Sequence, residues 1–286
     1  MSAKLLEGKV AIITGASRGV GRAIALLFAK HGCKVTVAAK SVVEQPGLPG
    51  TVHTVAAEVE ALGSEALAVQ VDVRDDASVQ NMVDRTVERF GRVDILINNA
   101  GALWWKDVTD TPVKRYDLIN SVNSRASFVA TRACLPHMQR QGGGKIIVMS
   151  PPLDMSMLKG RVAYCISKFG MTLLAKGVAE EMREFNIHAN ALWPATAVES
   201  QATINHQLGD PSTWRKADIL ADATLVLVTS DVTGKAMIDE EVLRMAGVTD
   251  FTKYRCDPNV EPPKLYDMLN WGKGAGLIDD KRPARI

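Results

Sequence analysis

The stretch Thr14-Gly15-Ala16-Ser17-Arg18-Gly19-Val20-Gly21 follows a short apolar run at 9–14 and opens directly into a helical pattern at 19–31. Glycines between a strand and a helix let the backbone turn tightly and approach a pyrophosphate. The free N–H groups and the positive dipole end of the helix then hold the anion. The spacing is GxxxGxG rather than the commoner GxGxxG. A triphosphate-binding loop would need Gly-Lys followed by Ser or Thr, and no such tripeptide occurs. Gly15 to Gly19 also spells the GxSxG elbow of hydrolases. Only 16 residues precede Ser17, too few for the upstream strands and oxyanion loop of such an enzyme.

Working outward, the runs at 9–14, 34–39, 66–71, 94–98, 145–150, 187–193 and 235–239 read as strands. Helical patterns lie between them at 19–31, 52–62, 77–90, 112–141, 162–185 and 212–228. Strands alternating with helices of this length imply βαβ units and a parallel sheet. The strand runs are apolar almost throughout, as expected where helices cover both faces. The predicted fold is therefore α/β, a doubly wound parallel sheet of the Rossmann type with seven strands and helices on both faces. Residues 1–245 read as one dinucleotide-binding catalytic domain. The Pro- and Gly-rich residues 246–286 are too few to bury a core of their own. They are expected to pack on the same domain or on a neighbouring subunit.

The end of the second strand bears on the cofactor. An NAD-binding fold places Asp or Glu there for the ribose 2′-hydroxyl. Here Ala39-Lys40-Ser41 offers a cation and a hydroxyl instead. Lys40, with Arg18 from the glycine turn, suits a 2′-phosphate, so NADP is expected over NAD.

The 286 residues carry a net charge of +2, with 47% hydrophobic and 23% charged residues. That balance fits a globular protein and gives no basic patch for nucleic acid. No window of 18 apolar residues occurs and the N-terminus does not read as a signal peptide, so no membrane partner is expected. Four scattered cysteines without a CxxC pair suit a reducing, cytoplasmic setting. The five histidines show no HExxH spacing, and no metal site is expected.

Tyr164-Cys165-Ile166-Ser167-Lys168 begins a long helical pattern, and Tyr164 alone among the four tyrosines has lysine four residues on. That spacing puts phenol and ammonium on one helix face. A nearby cation lowers a tyrosine pKa, and such a phenol can give a proton to a carbonyl oxygen or take it back in reverse.

With these motifs in place, the chain resembles the short-chain dehydrogenase/reductase family over roughly residues 7–240. The resemblance rests on TGASRGVG at 14–21, Asp72-Val73, Asn98-Asn99-Ala100-Gly101, Asn123, the YCISK stretch at 164–168 and the segment around Pro194. It implies that Gly15, Ser17, Arg18, Gly19, Val20, Gly21, Lys40 and Ser41 bind the cofactor, and that Asp72 and Val73 bracket the adenine. It further implies that Asn99, Ala100 and Gly101 line the groove and that Pro194, Thr196 and Ala197 lie near the carboxamide. Tyr164 would be the acid/base. Lys168 would lower its pKa and bind the nicotinamide ribose, and Asn123 would hold a water leading to Lys168.

The family usually has serine 13 residues before the tyrosine, where this chain has Pro151; Ser150 is the expected substitute. Ala195 stands where glycine is usual, and Asp239-Glu240-Glu241 where Asp-Gly-Gly is common. SPPL at 150–153, ALWP at 191–194 and AAK at 38–40 resemble the hydroxysteroid dehydrogenase-like protein 2 branch. Animal members of that branch carry a C-terminal sterol-carrier domain, which is not expected within the residues through Ile286. The function implied is NADP(H)-dependent interconversion of an alcohol and a ketone or aldehyde. An NADP(H)-binding sensor or scaffold with little catalysis is the second reading. Trp104, Trp105 and the loop bearing Met155 and Met157 suggest a small apolar carbonyl or alcohol as substrate. A homo-oligomer is expected by the resemblance, through the long helices at 112–141 and 162–185.

Overall fold

Seven strands form one parallel sheet in the order β3-β2-β1-β4-β5-β6-β7. They are β1 (Val10–Thr14), β2 (Lys34–Ala39), β3 (Ala66–Gln70), β4 (Ile95–Asn98), β5 (Gly144–Met149), β6 (Ile187–Trp193) and β7 (Ala236–Ile238). The computed structural model describes residues 4–206 and 209–265, with the side chain of Met157 left out. The helices are α1 (Gly19–Lys30), α2 (Val52–Ala61), α3 (Asp76–Phe90), α4 (Val113–Asn120), α5 (Ala126–Arg140), α6 (Val162–Glu181), α7 (Gln201–Asn205), α8 (Asp218–Thr229) and α9 (Asp239–Met245).

The strands alternate their side chains between two apolar layers, as a period of two demands. Ala11 and Ile13 of β1, Ile95 and Ile97 of β4, and Ile147 and Met149 of β5 pack with α1, α2 and α8. Ile12, Leu96, Ile146 and Val148 pack on the other face with α3, α5 and α6. The chain reverses its winding between β1 and β4, which pair through Ala11↔Ile95 and Ile13↔Ile97. Doubly wound sheets open a crevice at such a switch point, beyond the carboxyl ends of the strands.

The predicted helix over 112–141 is broken. A π-helical turn at Ser121–Arg125 separates α4 from α5 and contains the fully buried Asn123. Extra-residue turns of this kind commonly accompany functional positions. The pattern at 212–228 is a short 3₁₀ turn at Pro211–Thr213 followed by α8. Between them Arg215 makes bridges to Val198 and Arg255, which pulls the chain out of helix.

Helix α6 is long and apolar enough to cross a membrane, although its sequence is not a continuous apolar run. Here 61% of that window is buried inside the protein, so its apolarity serves the core. Of the C-terminal extension, Phe251 and Tyr254 join the core layer under α8. The Tyr254 hydroxyl donates to Asp222 at 2.5 Å. Residues 266–286 lie outside the described residues.

Candidate active site

The turn after β1 is shaped by contacts that exclude side chains. Gly15 has φ +67°, and a Cβ on Gly21 would lie 2.5 Å from the Gly15 carbonyl and 2.6 Å from Asn99 Nδ2. Asn99 Nδ2 donates to the carbonyls of Thr14 (2.9 Å) and Gly15 (3.2 Å). Thr14 Oγ1 accepts from the N–H groups of Asn99 and Ala100, which staples β1 to β4 at the switch. Arg18 at the N-cap of α1 makes no side-chain cap and the first turn holds no acid. The helix N–H groups and dipole are thus left for an anion.

This turn is one end of a cleft of about 1120 Å³. Gly15, Ser17, Arg18, Gly19, Val20, Lys40, Ser41, Asp72 and Val73 line it, as do Asn99, Ala100, Gly101, Tyr164, Lys168, Pro194, Thr196 and Ala197. Gly21 lies beneath the turn. Asn123 and Ser150 are not in the lining.

At the β2 end, Arg18 is held by the loop that follows. Its guanidinium donates to the carbonyls of Pro49 (3.0 Å) and Gly50 (2.9 Å) and to Ser41 Oγ (3.0 Å). Lys40 Nζ lies 3.3 Å from Asp72 Oδ2, and Arg74 also pairs with that carboxylate. Arg74, foremost, then Lys40, hold the Asp72 carboxyl well below its ordinary range. Two cations thus share one carboxylate at this rim, which Arg18 also lines. Arg74 carries no signal in the sequence, where it is one more surface arginine.

At the other end, Tyr164 and Lys168 sit on the first turns of α6, both 5% exposed. Lys168 Nζ donates to the Met149 carbonyl at 2.8 Å and stands 6.0 Å from the Tyr164 ring centroid. Burial brings the Lys168 ammonium down to about 8. The net shift of the tyrosine is upward, not the expected fall: burial first, and the Cys165 thiol second, push the Tyr164 phenol up. Desolvation of the phenolate outweighs an ammonium that is drawn to a carbonyl.

The Asn123 side chain is held by protein partners, and the expectation for Ser150 needs correction. Asn123 Oδ1 accepts from Ala102 N (2.8 Å), while its Nδ2 donates to Ala102 O (3.0 Å) and Ser167 Oγ (2.8 Å). It clamps the loop after β4 to α6; a Cβ on Gly101 would lie 3.5 Å from both Asn123 Oδ1 and Lys168 Nζ. Ser150 does not stand in for the missing serine. Its hydroxyl is fully buried and shares a hydrogen bond of 2.9 Å with Thr172 Oγ1. Met149 lines the cleft, and side chains alternate along an extended strand, so the next residue turns away.

Around Tyr164 the wall is aromatic. Trp104, Trp105 and Trp193 pack with Tyr164, Ile119 and Ala163. Trp105 meets the Tyr164 ring edge-on, with centroids 6.2 Å apart. Arg115 lies over Trp104 at 5.1 Å and also lines the cleft. The indole nitrogens of Trp104, Trp105 and Trp193 are buried and lack a hydrogen-bond partner. A buried donor left so costs about 1–3 kcal/mol. Trp193 is legible in the sequence only as part of ALWP. Met155 is exposed and absent from the lining, and Met157's side chain lies outside the described residues.

The wall beyond β6 is fixed from behind. Asp239 Oδ1 accepts from the N–H groups of Ala195 (3.0 Å) and Glu240 (2.7 Å). Glu240 in turn pairs with the buried Arg215 at 2.5 Å, with Arg244 at 3.1 Å, and with Lys264. Leu265 N donates to Ala195 O (2.8 Å), so residues 264–265 form part of the wall. Burial lifts the Asp239 carboxyl from 3.8 to about 6, against the two N–H groups that lower it. Its folded pKa is above the unfolded one, so the folded state binds the extra proton between the two values. Stability should therefore fall as pH rises from about 4 to 6 through this group. The variant Asp239→Asn should flatten that part of a melting-temperature-versus-pH curve. An unchanged slope would assign the titration elsewhere.

A Rossmann-type sheet with this cleft at its switch point has the architecture of a nucleotide-binding protein, and the family model for short chain dehydrogenases matches residues 9–208. The chain belongs to that family, whose members use nicotinamide cofactors. It is 41% identical over 280 residues to hydroxysteroid dehydrogenase-like protein 2 of Danio rerio, covering 96% of this chain and 66% of that protein. The chain thus spans just under two thirds of that relative. A short chain dehydrogenase from Mycobacterium thermoresistibile has a similar structure, with TM-score 0.85 and 40% identity, covering 91% of this chain and 94% of that one. A 7α-hydroxysteroid dehydrogenase solved with NADH and 7-oxo glycochenodeoxycholic acid has TM-score 0.71 at 27% identity, covering 83% of this chain and 95% of that one.

Proposed function

We propose that this chain is an NADP(H)-dependent oxidoreductase that interconverts an alcohol with a ketone or aldehyde, with Tyr164 as acid/base. The observation that carries the reading is that Tyr164 and Lys168 share one cleft with an anion-receptive glycine turn. Gly15 and Gly21 leave no room for a side chain in that turn, which lets the backbone bend tightly beside a pyrophosphate. When bound, the reduced nicotinamide supplies a hydride to the carbonyl carbon. Tyr164 is neutral in its buried site and gives its proton to the carbonyl oxygen, whose π electrons become the new O–H bond. The ammonium of Lys168 favours the phenolate left behind. The aromatic wall of Trp104, Trp105 and Trp193 fits a small apolar substrate. The exposed Phe128, Ile166 and Leu173 on α5 and α6 favour a homo-oligomer, and free thiols suit a cytoplasmic setting.

The test is oxidation of NADPH against a panel of apolar ketones and aldehydes. Turnover on some member supports the enzyme. Tight NADPH binding with no turnover supports the sensor, the reading that the turned-away Ser150 favours.

Preference for NADPH rests on Arg18, Lys40 and Ser41, with Arg74 beside them. A charge-assisted hydrogen bond contributes about 1.5–3 kcal/mol, and about 1.4 kcal/mol is a factor of ten. Lys40→Asp should therefore lower the NADPH-to-NADH preference at least roughly tenfold. Equal or tighter NADH binding by the unaltered protein would end the assignment.

A further inference from the structure

Resting on the carbonyl-reductase reading, we propose that the indole N–H of Trp193 is the second hydrogen-bond donor to the substrate oxygen, beside the Tyr164 phenol. A carbonyl that accepts hydride develops negative charge on oxygen, and preorganised donors aimed at that charge are among the largest contributions to rate. The two positions nearest the usual serine offer none: Pro151 has no donor, and Ser150 is bonded to Thr172 away from the cleft.

The neighbouring strand does offer one. The register Met149↔Leu192 brings Trp193 level with Ser150 on the adjacent strand. Leu192 enters the layer under α8. Alternation therefore sends Trp193 to the α6 face, where it packs with Tyr164. Lys168 Nζ lies 5.6 Å from the Trp193 ring centroid. A cation over the ring face leaves the in-plane N–H pointing sideways from the amine. That N–H is buried and has no protein acceptor, while Trp193 lines the cleft. Trp105 also has an unpaired N–H, but its ring is packed between Tyr164 at 6.2 Å and Arg161 at 5.0 Å, away from Lys168. Trp104 sits beneath Arg115, further along the wall. A donor in an aromatic pocket selects a substrate whose oxygen is its only polar group near the reacting carbon.

The experiment uses the full chain with NADPH and the best ketone from the panel. Trp193→Phe keeps the ring and removes the donor. It should lower kcat about 10–100-fold, with NADPH affinity within about twofold of the parent. Installing the alternative donor, Pro151→Ser, in the Trp193→Phe background should recover at least about fivefold. A purely structural role for Trp193 would not give that rescue. Trp105→Phe and Trp104→Phe should act mainly on KM. A kcat within twofold of the parent in Trp193→Phe overturns the inference while leaving the reductase reading intact. So does a loss that falls instead on Trp105→Phe, or a loss that Pro151→Ser does not rescue. Absence of turnover by the unaltered chain with every ketone and aldehyde fails the reductase reading itself, and this inference with it.

Discussion

Replacing Tyr164 by phenylalanine should cut kcat for carbonyl reduction by roughly 10²–10⁴-fold while leaving NADPH binding nearly unchanged. The ring packs against Trp105, Ile119 and Ala163. Phenylalanine keeps that packing and deletes only the acid. Burial holds the phenol protonated across the working range, so the unaltered enzyme starts the reduction with its proton in place. Oxidation of an alcohol needs the opposite state and should be favoured at higher pH. The change is checked by single-turnover kinetics with NADPH alone varied. Turnover by the Tyr164→Phe variant within tenfold of the parent would remove Tyr164 from the chemistry and, with it, the role given to Lys168.

The second large effect is on stability. Arg215 is 1% exposed and Glu240 6% on their side chains, and Arg244, Lys264 and Glu261 complete the cluster. Removing one member of a buried pair strands the other, at a cost of about 3–5 kcal/mol. Arg215→Ala should lose that much in denaturant unfolding and also loosen the wall, because Arg215 sits beside the Asp239 that holds Ala195. Replacing both partners, Arg215→Met with Glu240→Met, should recover much of the loss, since two apolar groups leave no orphan charge. A single substitution costing less than about 1 kcal/mol would mean that Glu240 is satisfied by Lys264 and Arg244 alone.

The parts of the molecule most legible in the sequence are those fixed by local periodicity or by backbone sterics. Seven apolar runs became seven parallel strands because helices cover both faces of the sheet. The glycine turn was readable because Gly15 and Gly21 meet backbone where a side chain would be. Tyr164 and Lys168 were readable because helical spacing alone puts them on one face. The failures involve features that local sequence does not encode. Ser150 looked like a stand-in for serine by proximity in sequence, yet strand alternation turned it towards Thr172. The π turn that aims the Asn123 amide at Ala102 and Ser167 has no local period to announce it. The fall expected for the tyrosine pKa ignored burial, which only packing reveals. Trp193 and Arg74 went unremarked because their importance depends on what strand pairing brings beside them. The strap at residues 264–265 and the short helices α7 and α9 have no strong period to announce them.

The strand order also sets the timing of assembly. β1 lies in the interior of the sheet, yet its partner on one side, β4, begins at Ile95, against Ala11. During synthesis the first βαβ unit is complete long before that partner exists, and β1 presents an open, apolar edge in the interval. Closing it spans a long loop, which makes parallel pairings of this type slow and prone to mispairing. The same junction, through Thr14 and Asn99, builds the phosphate cradle. Competence to bind nucleotide should therefore arrive only when the two halves of the sheet join, and NADPH present during refolding should draw the population towards that joined state.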